Sequence, residues 1–103
     1  YILMLGEYGG LGLPVKDHLW NPEMLNWGYG GNRKDKEDLN NTYVEYAEMI
    51  IPFIPQGMSG AIYTQTTDVE GEVNGFVTYD RKVIKFDVKR IHDANQRVIN
   101  SLK

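Results

Sequence analysis

A chain of 103 residues, 42% hydrophobic and 24% charged, has the size and make-up of one small globular domain. Its net charge of −3, with both signs interspersed, leaves no basic footprint for nucleic acid or an anionic membrane surface. No apolar run approaches the roughly 18–20 residues that span a bilayer, so a soluble chain is expected. The absence of cysteine removes disulfides and thiolate metal sites but assigns no compartment, and no signal peptide is visible.

The chain opens on Tyr1-Ile-Leu-Met-Leu5, an apolar run ended by Gly6, Glu7, Tyr8, Gly9 and Gly10. A short unalternating run closed by turn residues predicts a parallel strand covered on both faces. Glu7 then stands at its C-terminal end, where α/β architectures gather ligands and catalytic groups. Glutamate is seldom buried unless paired, so Glu7 is the first candidate for a working carboxylate, against the alternative of an ordinary surface residue. The run begins at Tyr1 without leader or cap, and the chain is therefore expected to be a piece of something longer.

Residues 13–32 are rich in Gly, Pro, Asn and aromatics and show no period, which predicts a long loop. Loops of this length are usually binding loops or disordered. Disordered segments lack aromatics, whereas Tyr8, Trp20, Trp27 and Tyr29 stand in and beside this one, so an ordered, ligand-facing loop is expected. Residues 32–38 form a charged run suited to a solvated helix entrance. Leu39, Tyr43, Tyr46, Ala47, Ile50, Ile51 and Ile54 then recur at helical spacing, and Pro52 and Pro55 stop the helix.

Residues 58–67 read as a second strand. Residues 68–75 follow as a polar, glycine-punctuated loop carrying Asp68, Glu70 and Glu72, and residues 76–85 have an extended character. Asp87 caps a final helix whose buried face is predicted as Val88, Ile91, Ala94, Val98 and Leu102. Strand, loop, helix, strand, loop, helix predicts a parallel α/β sheet. Two strands alone leave faces and edges uncovered, so the unit is expected to be incomplete.

Leu5-Gly-Glu-Tyr-Gly-Gly-Leu-Gly-Leu-Pro-Val15, together with Gly60-Ala-Ile-Tyr-Thr-Gln-Thr-Thr-Asp-Val-Glu-Gly-Glu-Val-Asn-Gly-Phe-Val-Thr-Tyr-Asp-Arg81, resembles the catalytic domain of glycoside hydrolase family 2. The likeness is strongest to bacterial β-galactosidase-like members and covers nearly the whole chain. It implies a fragment of a (β/α)8 TIM barrel, residues 1–103 corresponding to barrel strands seven and eight with their helices. It further implies Glu7 as the nucleophile of a retaining hydrolysis, a carbohydrate substrate, the rest of the parent catalytic domain as partner, and a periplasmic or secreted bacterial parent.

The chain departs from the family pattern at two points. The acid/base glutamate follows an asparagine in the family, and no Asn-Glu dipeptide occurs here, although retaining chemistry needs a second carboxyl about 5–5.5 Å away. Asp68, Glu70 and Glu72 are expected to hold loop backbone, a cation or solvent instead of completing the pair. Thr64-Gln65-Thr66 also replaces a family tryptophan, so Gln65 is a candidate for a sugar hydroxyl contact. Trp20 or Trp27 either supplies the aromatic platform or anchors the loop. Tyr8, His18 and Asp68 complete the substrate-contact candidates. His92 is expected to be exposed on the last helix, the two histidines make no metal pattern, and no cofactor is implied. The rival reading is a non-catalytic carbohydrate-binding or self-associating half-barrel module.

Overall fold

The computed structural model describes residues 3–101. Strand β1 (Leu3–Gly9) leads through a long connection to helix α1 (Lys36–Ile50) and a 3-10 turn (Ile51–Phe53). Strand β2 (Met58–Thr64) follows, then a second irregular stretch and helix α2 (Val88–Asn100). β1 and β2 pair in parallel, as strands joined by a helical crossover do. The molecule is thus a small mixed α/β fold of two parallel strands and two helices. Among the described residues no helix is long and apolar enough to cross a membrane.

Local chemistry accounts for the element ends. Asp35 caps α1 by accepting the Asp38 amide, and Glu37 and Asp38 put negative charge in the first turn, where the helix dipole favours it. Pro52 then tightens the chain into the 3-10 turn. Asp87 caps α2 by accepting from the Lys89 and Arg90 amides, as its sequence position predicts. The helices run parallel, because their contacts advance in step. Asn40 Oδ1 accepts the Asp87 amide, Tyr43 donates to Asn95 at 2.7 Å, and Arg97 meets Glu48 at 2.7 Å.

The core lies between the helices and the loops. Leu39, Tyr43 and Ala47 of α1 and Ala94 of α2 meet Leu11, Leu13 and Phe86 from the irregular stretches. Tyr43, Tyr63, Phe76 and Phe86 interlock as tilted and edge-on pairs with centroids 4.7–6.3 Å apart. Full burial of side chains such as Leu39 is worth about 1.5–3 kcal/mol each. Exposed pairs such as Arg97–Glu48 contribute at most about 1 kcal/mol.

Three expectations need correction. The first strand is covered on one face only. Tyr8 and Tyr63, partners in the ladder, stand edge-on at 5.4 Å with Tyr63 in the aromatic core. Glu7 and Ile62, also partners, lie exposed with Met4 on the open face. The second strand stops at Thr64, where the chain turns to close the loop of residues 65–75. Residues 76–85, read as extended, fold back on themselves through the amides of Thr78 and Lys85, bonded to Val83 and Phe76, and are extended only at isolated bridges. Val88 is 65% exposed because it opens α2 at the first turn, before the helix reaches the core at Ile91 and Ala94. Leu102, expected on the same face, lies outside the described residues, as do Tyr1 and Ile2.

Candidate functional site

Glu7 stands third from the end of β1 on the open face of the sheet. Its carboxylate accepts a hydrogen bond from the Thr64 hydroxyl at 3.3 Å, across the ladder at the end of β2. Two concavities meet at this pair. A smaller one, about 240 Å³, is bordered by Glu7, Gly9, Gly10, Tyr29 and Thr64. A larger one, about 410 Å³, is bordered by Glu7, Tyr29, Ile62, Gln65, Thr66 and Glu72. The second has the volume of a small-molecule site.

The long connection reaches Glu7 because glycine permits it. Gly10, at φ +67°, leaves no room for a Cβ against Tyr29, and a Cβ on Gly30 would strike the Gly9 carbonyl at 2.6 Å. With both side chains absent, the Gly30 amide donates to the Gly10 carbonyl at 2.6 Å and the segment closes over the strand end. The connection is irregular yet ordered. Trp27 receives the Val73 amide on its carbonyl at 2.6 Å and donates its own to Gly71 at 2.8 Å, and Leu13 donates to Val73. The Trp27 ring stands edge-on to Tyr29, centroids 5.0 Å apart, bracing it beside Glu7.

The predicted contacts are distributed unevenly around this cleft. Gln65 borders it, with a buried Nε2 that has no hydrogen-bond partner. Tyr8 borders the smaller concavity, but its ring belongs to the covered side, where burial and the neighbouring Tyr43 phenol push its hydroxyl pKa up. That side also holds a cavity of about 330 Å³ bordered by Tyr8, Tyr43, Tyr63 and Asn95. Trp27 is a brace for Tyr29, and Trp20, 52% exposed, borders neither concavity.

His18 and Asp68 are engaged elsewhere. His18 Nδ1 lies 2.8 Å from Asp80, whose carboxylate also accepts the Thr78 hydroxyl and the Lys82 amide. These donors, with Thr78 foremost, hold the Asp80 carboxyl well below the usual carboxylate range. Asp68 is 5% exposed and receives Lys85 Nζ at 2.7 Å and the Gly75 amide at 2.9 Å on one oxygen. Burial pushes its pKa up and that of Lys85 down, each partner opposing the other's shift. It therefore holds loop backbone, one of the roles expected of that carboxylate trio. His92 is exposed on α2 as expected.

Tyr29, Thr64, Thr66 and Glu72 are among the cleft residues that the substrate-contact candidates omit. Tyr29 stood among the loop aromatics, but an aperiodic loop gives no signal for which ring faces the carboxylate. Among the described residues no group of three or more His, Asp or Glu is placed to hold a metal ion. Comparison of the sequence with protein-family models and with curated proteins finds no match.

Proposed function

We propose that the chain carries the nucleophile half of a retaining exo-β-glycosidase site and belongs to a (β/α)8 barrel as its seventh and eighth strand-helix units. One observation carries this reading. A carboxylate stands on the open face, near the C-terminal end of a parallel strand pair, in a cleft with an exposed aromatic ring and polar rim. The order strand, helix, strand, helix, with parallel helices on one face, is the repeating unit of such a barrel. The uncovered face and free strand edges are those that further strands would close.

In this reading a terminal β-linked sugar, with β-galactosides favoured, sits in the cleft. A Glu7 oxygen attacks the anomeric carbon while the glycosidic bond breaks, and the departing oxygen takes a proton from a carboxylic acid outside residues 1–103. Water, deprotonated by that same group, then cleaves the glycosyl ester, and two inversions give net retention. Thr64 steadies the attacking carboxylate.

Because the acid/base group lies elsewhere, the decisive probe needs a leaving group that departs unprotonated. Incubation with 2,4-dinitrophenyl 2-deoxy-2-fluoro-β-D-galactoside is expected to leave a fluorosugar on the peptide containing Glu7, seen by mass spectrometry and missing in Glu7→Gln. No adduct, or one on another residue, removes the nucleophile assignment. Ordinary nitrophenyl β-glycosides are expected to give no turnover, and turnover abolished by Glu7→Gln would place both carboxyls within this chain.

A carbohydrate-binding module without catalysis is the second reading, favoured by the aromatic cleft and the missing Asn-Glu pair. It predicts sugar binding with no adduct.

A further inference from the structure

We propose that Tyr29 is the stacking platform of the sugar site and that Glu72 and Gln65 grip the hydroxyls of the same ring. This inference rests on the carbohydrate reading of the Glu7 cleft and adds the residues that set its preference. It does not require that Glu7 act as a nucleophile.

Three observations converge. Tyr29 alone among the loop aromatics borders both concavities around Glu7, and at 76% exposure its ring has a free face. Its ring stands at 86° to that of Trp27, centroids 5.0 Å apart, and its Cβ lies close against Gly10, which limits the rotamers open to it. Rigid rings with one open face suit the flat C–H face of a pyranose, since little rotamer entropy is lost on binding.

The polar complement lies across the larger cleft. Glu7 and Glu72 can accept from sugar hydroxyls, and Gln65, which borders the same concavity, brings a side-chain amide. Polar groups that pair with particular hydroxyls discriminate among sugars by hydroxyl position. Glu72 is held in place by its backbone, which bridges to Trp27 and exchanges both hydrogen bonds with Val69. The segment that braces the platform thus also carries the opposite wall. A neutral, hydroxyl-rich ring fits this chemistry better than an anionic sugar, which two carboxylates would repel.

The test is titration of the 103-residue chain with methyl β-D-galactoside, methyl β-D-glucoside and methyl β-D-mannoside, followed by amide NMR shifts and by Trp fluorescence. At least one of these is expected to bind, shifting the amides of Glu7, Thr64, Gln65 and Tyr29. Tyr29→Ala and Tyr29→Leu should weaken binding roughly tenfold. Tyr29→Phe should stay within about threefold, because the ring face is retained. Gln65→Leu should narrow the differences among the three epimers. Unchanged far-UV spectra are expected for all Tyr29 variants, given the side chain's exposure.

Binding to Tyr29→Ala equal to that of the parent chain overturns the platform, as does absence of binding by all three glycosides. The fluorosugar adduct decides the nucleophile reading independently. An adduct on Glu7 with no effect of Tyr29→Ala sinks only the platform, whereas sugar binding lost in Tyr29→Ala without any adduct sinks only the catalytic reading.

Discussion

Lys85→Met is expected to be the most damaging single substitution away from the cleft. Lys85 is wholly buried, its ammonium held by Asp68 at 2.7 Å and by the Val73 carbonyl at 2.9 Å. The variant leaves the Asp68 carboxylate, 2% exposed in its side chain, with only the Gly75 amide. Breaking one side of a buried pair costs about 3–5 kcal/mol, because the remaining charge is neither hydrated nor matched. At an unfolding entropy of about 2 cal/mol/K per residue, a chain of this size should lose roughly 15–25 °C in Tm. Against a total stability of about 5–15 kcal/mol, Lys85→Met is expected to remove a large share of the folding free energy. The assay is urea and thermal unfolding by circular dichroism, with Asp68→Leu/Lys85→Met as the companion. That double variant removes both charges and should be more stable than Lys85→Met, since replacing a buried pair with apolar groups is often neutral. A loss below about 1 kcal/mol in Lys85→Met, or a double variant as damaged as both singles summed, would refute a dry, coupled pair.

Three further outcomes follow from the geometry. Gly75→Ala should unfold the loop of residues 65–75, since its Cβ would fall 2.3 Å from the Thr67 carbonyl carbon and 2.4 Å from the Asp68 nitrogen; a heat-denaturation midpoint near that of the parent would contradict this. Asp80→Asn should alter the acid limb of stability. The Asp80 carboxyl is held below its unfolded value of about 3.9, so its contribution is full above that pH and fades as pH falls below it. The gap between parent and variant should therefore be present at pH 7 and close toward pH 2, and a gap constant with pH would refute the assignment. Asp87→Ala should cost about 1 kcal/mol by urea titration, because two amides of the first α2 turn lose their acceptor.

What was legible in the sequence was what repeats locally. Leu39, Tyr43, Ala47 and Ile50 declared one helix face, Asp87 declared a cap, and the order of elements declared parallel pairing. The pairings that tie the loops together were not legible, because they join distant and aperiodic positions. His18 meets Asp80 across 62 residues, Lys85 meets Asp68 across 17, and Trp27 bridges to Glu72 through backbone groups that any residue carries. The same limit misplaced Val88, whose spacing fits the buried face although its turn lies outside the core. Glu7 was found by its place after an apolar run, and Tyr29 was not singled out because close approach of Gly10 and Gly30 decides which loop ring reaches it.

The fastening of the long connection is concentrated at its two ends. Residues 10–13 and 27–33 carry its backbone ties to the rest of the fold, His18 adds one anchor, and residues 20–25 are all exposed. The stretch from Trp20 to Glu23 is therefore the outward part of the connection, before Met24 and Leu25 pack against Gly71. Inserted sequence there would extend outward from a frame that already holds Tyr29 and Glu7, so longer or shorter versions of this segment would leave the cleft itself unrebuilt. A foreign peptide grafted at Glu23 is expected to leave the melting temperature within a few degrees of the parent's, which thermal unfolding by circular dichroism checks.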